Sequence, residues 1–226
     1  VPEIQSFIVS ALKALEPLHV RGFGHFDFKP DAMASQGGGF KLADFDTVQK
    51  PTSFEKEEDV PGTDRFMPPE ALLNKRVVLK SDVWSLGCTI FDLLSNNFST
   101  NSMTNGEIRK FYNEVAFSVP GTLHYINRQT GEKEELTKDA PILRRIFDEA
   151  TSEFLATFIK RCLVRNPEGR ASVDELLGIG IEAFEFGAAP IAPSPDLDGS
   201  GSFKFSPVSS GRHRARTGGS ASALFF

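Results

Sequence analysis

The sequence His25-Phe-Asp-Phe-Lys-Pro-Asp31 decides the fold, and three further motifs follow it in order: Lys41-Leu-Ala-Asp-Phe-Asp46, Gly62-Thr-Asp-Arg-Phe-Met-Pro-Pro-Glu70 and Lys80-Ser-Asp-Val-Trp-Ser-Leu-Gly87. In the first motif, Asp27 and Lys29 stand two residues apart in a short loop, so a carboxylate and an ammonium group can face one site together. Phosphoryl transfer requires a carboxylate that orients the attacking hydroxyl and a cation that offsets charge on the transferring group. Standing alone, this motif would be a surface turn with mixed charges. The motifs that follow it in order are what favour a catalytic role.

The four motifs, with Arg165-Asn-Pro-Glu-Gly-Arg170 as a fifth, resemble the C-terminal lobe of eukaryotic protein kinases in order and spacing. The resemblance covers residues 3–178. It implies a mainly α fold, a helical bundle with short β-hairpins at the catalytic loop, and we expect residues 1–187 to form this partial kinase domain. The chain opens 24 residues before His25, without a Gly-rich phosphate loop or a strand lysine, so we expect the N-terminal lobe to be absent.

The resemblance also implies a role for each matching residue. Asp27 would be the catalytic carboxylate, and Lys29 the lysine that contacts the γ-phosphate in Ser/Thr kinases. Asp44 would bind Mg²⁺ and, with Lys29, hold ATP. Six positions would be structural: His25, Phe45, Thr63, Glu70, Asp82 and Arg170. The implied contacts are Thr63 with Asp27 and Lys29, Phe45 with His25, Glu70 with Arg170 as a buried ion pair, and Asp82 with the backbone near His25 and Phe26.

Three positions depart from the family pattern. Phe26 replaces the arginine that receives a phosphate from the activation loop, which puts control by that route in doubt. Ala32 stands where the family has an asparagine that ligates magnesium, and by analogy with other lost polar groups this costs on the order of 10²–10³ in rate. Asp46 replaces a glycine that provides conformational freedom, although Asp tolerates positive φ better than most residues do.

Two functions stay open at this point. The first is ATP- and Mg²⁺-dependent phosphoryl transfer to Ser/Thr of a protein substrate by a longer protein, this chain alone being inactive. The second is a pseudokinase, a non-catalytic scaffold that binds a partner protein. Ala32 and Asp46 favour the second function. The retained residues that oppose it are Asp27, Lys29, Asp44 and Thr63.

Details of the motifs narrow the family further. Met67-Pro-Pro-Glu-Ala71 and the motif at Lys80 look closest to the dual-specificity monopolar-spindle checkpoint kinases. Three hydroxyl residues, Thr47, Thr52 and Ser53, lie where activation-loop phosphorylation occurs in such kinases, but they are also ordinary in a polar loop.

Composition is that of an ordinary globular protein, with 40% hydrophobic and 24% charged residues among 226. The net charge of −5 gives no reason to expect nucleic acid or an anionic membrane as a partner, and no apolar run is long enough to span a bilayer. Cys88 and Cys162 stand in apolar helical segments, which predicts buried free thiols and an intracellular setting, cytoplasmic or nuclear. The oligomeric state stays open.

Hydrophobic periodicity predicts helices over 3–19, 68–75, 81–95, 107–117, 141–163 and 172–177. Residues 32–35 and 40–43 are predicted strands, and the glycines between them favour a hairpin turn over a phosphate loop. Residues 46–66 and 96–106 are predicted loops, the first of them mobile, and 188–226 a disordered tail rich in Ala, Pro, Gly and Ser. The core candidates of the 141–163 helix are Ile142, Leu143, Ile146, Phe147, Phe154, Leu155, Phe158 and Ile159.

Overall fold

A computed structural model of the protein describes residues 2–36, 39–95, 122–126 and 132–179. The helices are α1 Pro2–Val20, α2 Pro69–Asn74, α3 Lys80–Ser95, α4 Pro141–Arg144 and α5 Glu149–Cys162, and residues 173–179 are helical as well. The strands are β1 Met33–Gln36, β2 Gly39–Leu42, β3 Thr52–Ser53, β4 Arg76–Val77, β5 His124–Ile126 and β6 Lys133–Glu135. Helix outweighs strand, in agreement with the mainly α prediction.

Helix α1 presents one apolar stripe to the core. Its buried side chains recur every three or four residues, which places them on one face: Ile4, Phe7, Ile8, Ala11, Leu12 and Leu15. The helix packs against strand β2, where the rings of Phe7 and Phe40 meet edge-on with centroids 5.2 Å apart. Helix α1 ends at Val20, and Gly22 follows with a φ of 77°, a conformation that glycine adopts without a steric penalty.

Helix α3 is surrounded by protein, as its nearly continuous apolar sequence predicted. Every residue from 81 to 91 is buried, and the helix packs against α1, α4 and α5. One side of α3 joins the main hydrophobic core, whereas Trp84 and Cys88 join a second apolar cluster shared with α2. Helix α3 therefore contributes side chains to both apolar clusters.

The strands form three two-stranded antiparallel ladders in the described part of the chain: β1–β2, β3–β4 and β5–β6. In the first, Met33 pairs with Leu42 and Gln36 with Gly39, so the predicted hairpin is confirmed. The segment 46–66 is more structured than a plain loop, because it contains strand β3 and the 3₁₀ turn Glu57–Asp59.

The predicted single helix over 141–163 is wrong, since two helices occupy this range. Helix α4 ends at Arg144, and α5 begins after Asp148, whose Oδ1 accepts a hydrogen bond from the backbone N–H of Thr151 at 2.8 Å. An Asp that caps a new helix in this way satisfies one of its unpaired N–H groups. The break turns Ile146 outward to 44% exposure, although we expected it in the core.

The remaining sequence predictions concern the capping box, the two cysteines, membrane-spanning segments and three ranges of the chain. Ser172 and Glu175 form the expected capping box at the helical stretch 173–179: Glu175 Oε2 accepts a bond from the Ser172 N–H at 2.7 Å, and Ser172 Oγ accepts one from the Glu175 N–H at 3.2 Å. Cys88 and Cys162 are buried and form no disulfide with each other, and burial raises the pKa of the Cys162 thiol. Among the helices formed by the described residues, none is both long and apolar enough to cross a membrane. The predictions for 96–106, 107–117 and 188–226 lie outside the described residues.

Candidate active site

One buried carboxylate holds the loop that begins at His25. Asp82, in the first turn of α3, accepts hydrogen bonds from the backbone N–H groups of His25 and Phe26, each 2.7 Å long. Its Oδ2 also lies 2.9 Å from Nε2 of His19, in the last turn of α1. We expected the two backbone bonds but missed His19. The only sequence signal for it is a polar ring at the end of an amphipathic helix that leads straight into the loop.

The side chains of Asp27, Lys29 and Thr63 form one hydrogen-bonded cluster. Lys29 Nζ donates to Asp27 Oδ2 at 2.5 Å, and Thr63 Oγ1 donates to Asp27 Oδ1 at 2.7 Å. Lys29 Nζ lies 3.3 Å from Thr63 Oγ1 as well. The side chains of Asp27 and Lys29 are only 13% and 10% exposed, so water screens their interaction less than at an open surface. Both oxygens of the carboxylate are engaged, and its orientation is fixed.

Asp44 extends this cluster towards solvent. Its Oδ2 lies 3.8 Å from Lys29 Nζ, and its side chain is 43% exposed. The backbone of Asp44 is left-handed, with a φ of 62°, and leads into the 3₁₀ turn Phe45–Thr47. The positive φ that we considered for Asp46 therefore falls two residues earlier, while Asp46 takes the ordinary backbone of the turn.

His25 joins the two loops of the site. Its ring is fully buried, and Nε2 lies 3.0 Å from the carbonyl oxygen of Ala43. The ring of Phe45 packs edge-on against it with centroids 5.8 Å apart. Phe45 is nevertheless 52% exposed, so its other side faces away from the described residues.

Around Asp44, the side chains provide one carboxylate that could ligate magnesium. Mg²⁺ in nucleotide sites is held by one or two carboxylates together with phosphate oxygens, and Asp44 offers a carboxylate with access to solvent. Ala32 is fully buried in the 3₁₀ turn Pro30–Ala32 and has no side-chain oxygen to add. Within the described ranges, no group of three or more His, Cys, Asp and Glu side chains could hold a metal ion by itself.

Phe26 fills an apolar cluster next to the loop instead of carrying a charge. It is only 5% exposed and has a φ of 60°. A Cβ added at Gly24 would lie 2.2 Å from Phe26 Cε1, so a larger residue there would displace the ring. Its partners in the cluster are Val60, Phe66, Met67, Ala71, Leu72, Val77, Trp84 and Cys88. The sequence shows that the arginine is replaced but does not indicate this packing, because nothing local to Phe26 points to its distant partners.

Glu70 and Arg170 form a buried ion pair 100 residues apart in the chain. Arg170 Nη1 donates to Glu70 Oε1 at 2.6 Å, and Nη2 donates to Oε2 at 2.9 Å. The guanidinium also donates to the carbonyl oxygens of Val164 and Lys80 and lies over the ring of Trp84. The pair fastens helix α2 to the chain that precedes the helical stretch 173–179.

Comparison with known proteins agrees with this geometry. The protein kinase domain model matches residues 2–179, most of the chain. Dual specificity protein kinase Ttk of Danio rerio is 29% identical over 178 residues, which are 74% of this chain and 16% of that protein. Dual specificity protein kinase TTK of Mus musculus is 31% identical, with 77% and 19% covered. Mitogen-activated protein kinase kinase kinase 20 of Arabidopsis thaliana is 26% identical, with 74% and 44% covered. This chain thus spans less than half the length of each of these relatives. The match over residues 2–179 shows that it belongs to the protein kinase family.

Proposed function

We propose that this chain provides the phosphoryl-transfer lobe of a protein serine/threonine kinase domain. As part of the protein that contains it, the chain would transfer phosphate from ATP, with Mg²⁺, to hydroxyl groups of a protein substrate. The observation that carries the proposal is the cluster of Asp27, Lys29 and Thr63, with Asp44 3.8 Å from Lys29. Membership of the family supports it.

Asp27 is the residue that we assign to the attacking hydroxyl. Thr63 and Lys29 each hold one of its carboxylate oxygens, and each oxygen keeps a further lone pair that can accept the proton of a substrate hydroxyl. Phosphoryl transfer depends on positioning and on electrostatic stabilisation rather than on covalent chemistry by the protein. A carboxylate whose orientation is fixed provides the positioning.

Lys29 provides positive charge at the transferring group. Its ammonium carries three donors, and it contacts Asp27 and Thr63 with Asp44 nearby. When bound, ATP supplies the phosphoryl group and Mg²⁺ supplies a divalent charge that offsets its oxygens. Asp44 would hold the ion, and because Ala32 offers no second oxygen ligand, we expect metal affinity below that of a site with two.

Other residues support these three by position rather than by contact with substrate. His25 and Phe45 join the two loops, Asp82 holds the loop backbone, and Thr63 orients Asp27. Glu70 and Arg170 keep the segment that carries Thr63 against the helical core.

The test is the full-length protein with Asp27→Asn, assayed for phosphate transfer to casein. We expect activity to fall at least about 100-fold, because Asn cannot take up the hydroxyl proton, while circular dichroism and the melting temperature stay near those of the wild type. Asp139→Asn, an exposed carboxylate in the turn before α4, is the matched control and should keep full activity. Retained activity in Asp27→Asn would show that Asp27 is not the catalytic carboxylate.

A pseudokinase that binds a partner protein is the second candidate, and Ala32 is the observation that favours it. The experiment that separates the two candidates is Ala32→Asn in the same protein, with MgATP binding measured by thermal shift alongside activity. A wild type that transfers no phosphate while Ala32→Asn does would identify a scaffold that lost its metal ligand. An active wild type would exclude this candidate.

The same proposal covers substrate and setting. The substrate is a protein, since this is the substrate class of the family, and the compartment is intracellular, which two buried cysteines without a disulfide favour. We assign residues 1–187 to the kinase lobe and 188–226 to a tail outside it.

A further inference from the structure

Helix α3 holds two consecutive residues of the segment that carries Thr63. Ser85 Oγ donates a hydrogen bond to the carbonyl oxygen of Phe66 at 2.8 Å, and Asp92 Oδ1 accepts one from the guanidinium of Arg65. Ser85 and Asp92 are seven residues apart, so the helical period places them on one face of α3. This face therefore binds the segment just after Thr63.

The Arg65–Asp92 ion pair is largely withdrawn from solvent. Its side chains are 14% and 15% exposed, so water screens the two charges less than it would at an open surface. The guanidinium carbon of Arg65 also lies 5.4 Å from the centroid of the Phe66 ring, which is buried. Burial raises the pKa of the Asp92 carboxyl, and the charge of Arg65 opposes this change. The guanidinium is thus held between a carboxylate and an aromatic ring.

Arg65 and Thr63 belong to the same β-turn. Phe66 N donates to the carbonyl oxygen of Thr63 at 2.8 Å, and this bond closes the turn. Just before the turn, Gly62 lies so close to the catalytic loop that an added Cβ would be 2.9 Å from the carbonyl oxygen of Phe26. The turn is therefore confined between the catalytic loop on one side and α3 on the other, and a shift at Arg65 would move Thr63.

We propose that Arg65 and Asp92 are positioning residues for phosphoryl transfer, because they hold the turn that places the Thr63 hydroxyl against the carboxylate of Asp27. Thr63 Oγ1 donates to Asp27 Oδ1 at 2.7 Å, and this bond fixes the orientation of the carboxylate. The ion pair acts through Thr63 and not through contact with substrate. This assignment rests on the proposed function, in which Asp27 orients the attacking hydroxyl. A displacement of about 1 Å in such a site can lower the rate by about 100-fold.

The first experiment measures kcat and KM of the full-length protein, with casein as the phosphate acceptor. Arg65→Met should lower kcat about 10-fold and change the KM for MgATP less than about twofold, because the turn shifts while the groups that hold ATP remain. Arg65→Lys keeps a charge opposite Asp92 but loses the planar fork, so it should recover part of the lost rate. Asp148→Ala, which removes the cap of α5, is the control for lost stability alone and should keep the wild-type kcat.

The second experiment tests whether Arg65 acts through Thr63. Thr63→Val removes the hydroxyl but keeps the branched shape of the side chain, so this variant should also lose rate. In the Thr63→Val background, Arg65→Met should lower kcat by less than about twofold, because the hydroxyl that it positions is already absent. Two losses that simply multiply would overturn the proposal, and so would a wild-type kcat in Arg65→Met.

The third experiment does not depend on activity. Hydrogen exchange of peptides that cover residues 62–67 reports the opening of the turn in the full-length protein. Asp92→Asn keeps the shape of the side chain and removes its charge, so exchange in this segment should rise about 10-fold while exchange in α5 stays unchanged. Unchanged exchange in 62–67 would overturn the proposal even if the wild type transfers phosphate. A wild type that transfers none, together with the expected rise in exchange, would refute the proposed function and still confirm that the pair holds the turn.

Discussion

Removing one partner of the Glu70–Arg170 pair should strongly destabilise the chain, although the pair lies outside the candidate active site. Glu70 is 6% and Arg170 1% exposed. Arg170→Met leaves the carboxylate of Glu70 buried, with the hydroxyl of Ser81 at 3.0 Å as its remaining side-chain donor in the described structure. Stranding one charge of a buried pair costs about 3–5 kcal/mol. We expect the upper part of this range because the carbonyl oxygens of Val164 and Lys80 lose their donors as well.

Glu70→Met should cost less, about 3 kcal/mol, since the guanidinium of Arg170 keeps its bonds to carbonyl oxygens. The double variant should cost well under the sum of the two, with a coupling of at least about 2 kcal/mol, because no charge is then left buried. Arg170→Lys is the conservative control: it keeps the charge but cannot bind both carboxylate oxygens in a planar fork, so its cost should be intermediate.

Urea unfolding of the chain measures these differences. Trp84 is the single tryptophan of the sequence and is fully buried, so its fluorescence reports unfolding. Because the Arg170 guanidinium lies 5.1 Å from the Trp84 ring centroid, the native baseline will change in the variants, and far-ultraviolet circular dichroism serves as a second probe. Additivity of the single and double variants within about 0.5 kcal/mol would refute the reasoning. So would a cost below about 1 kcal/mol for Arg170→Met.

Two further substitutions test the packing and the helix boundary. At Gly87 of α3 an added Cβ would lie 2.5 Å from Cys162 Cβ, so Gly87→Ala should lower the free energy of unfolding by about 1–3 kcal/mol. Gly178→Ala is the control and should not lower it, because a Cβ added there would have nothing within 4 Å. Equal free energies of unfolding for the two variants would show that α3 and α5 are less closely packed. Bonds from Thr151 lower the pKa of Asp148, so its contribution is present above its ordinary value of about 3.9 and lost as pH falls through the lowered folded-state value. Asp148→Ala should therefore cost about 1 kcal/mol at pH 7, and the difference from wild type should narrow below about pH 4. Asp148→Asn still caps the helix and should cost little at pH 7; a loss as large as that of Asp148→Ala would exclude the capping role.

Much of the polar site could be predicted from the sequence because its members stand close together or belong to recognisable motifs. Asp27 and Lys29 share one short loop, so their proximity needs no tertiary information. The contact of Thr63 with Asp27 bridges 36 residues and was expected only from the resemblance to kinases. Periodicity alone places no residue of one loop against another.

The predictions that were wrong or incomplete share a physical cause. Ile146 fits the helical spacing of 141–163, but the cap at Asp148 starts a new helix with a different face inward. Hydrophobic periodicity does not distinguish an Asp that caps a helix from an Asp inside one. Likewise, the positive φ at Asp44 depends on how the two loops meet, which local residue preferences do not encode.

The replacement of an arginine by Phe26 changes how the segment from Asp44 to Glu70 is held. A left-handed, non-glycine residue costs of order 1–3 kcal/mol and persists only where its surroundings over-determine it. Here Asp82 binds the Phe26 N–H, and the apolar cluster buries the ring together with Val60. This attachment requires no phosphate.

The β3–β4 ladder is the weaker attachment of the same segment. It consists of two residue pairs, and the side chains of β3 are exposed. Two-stranded ladders of this size have little stability of their own. The segment from Asp44 to Glu70 therefore depends for its attachment on the buried Phe26 cluster more than on this ladder.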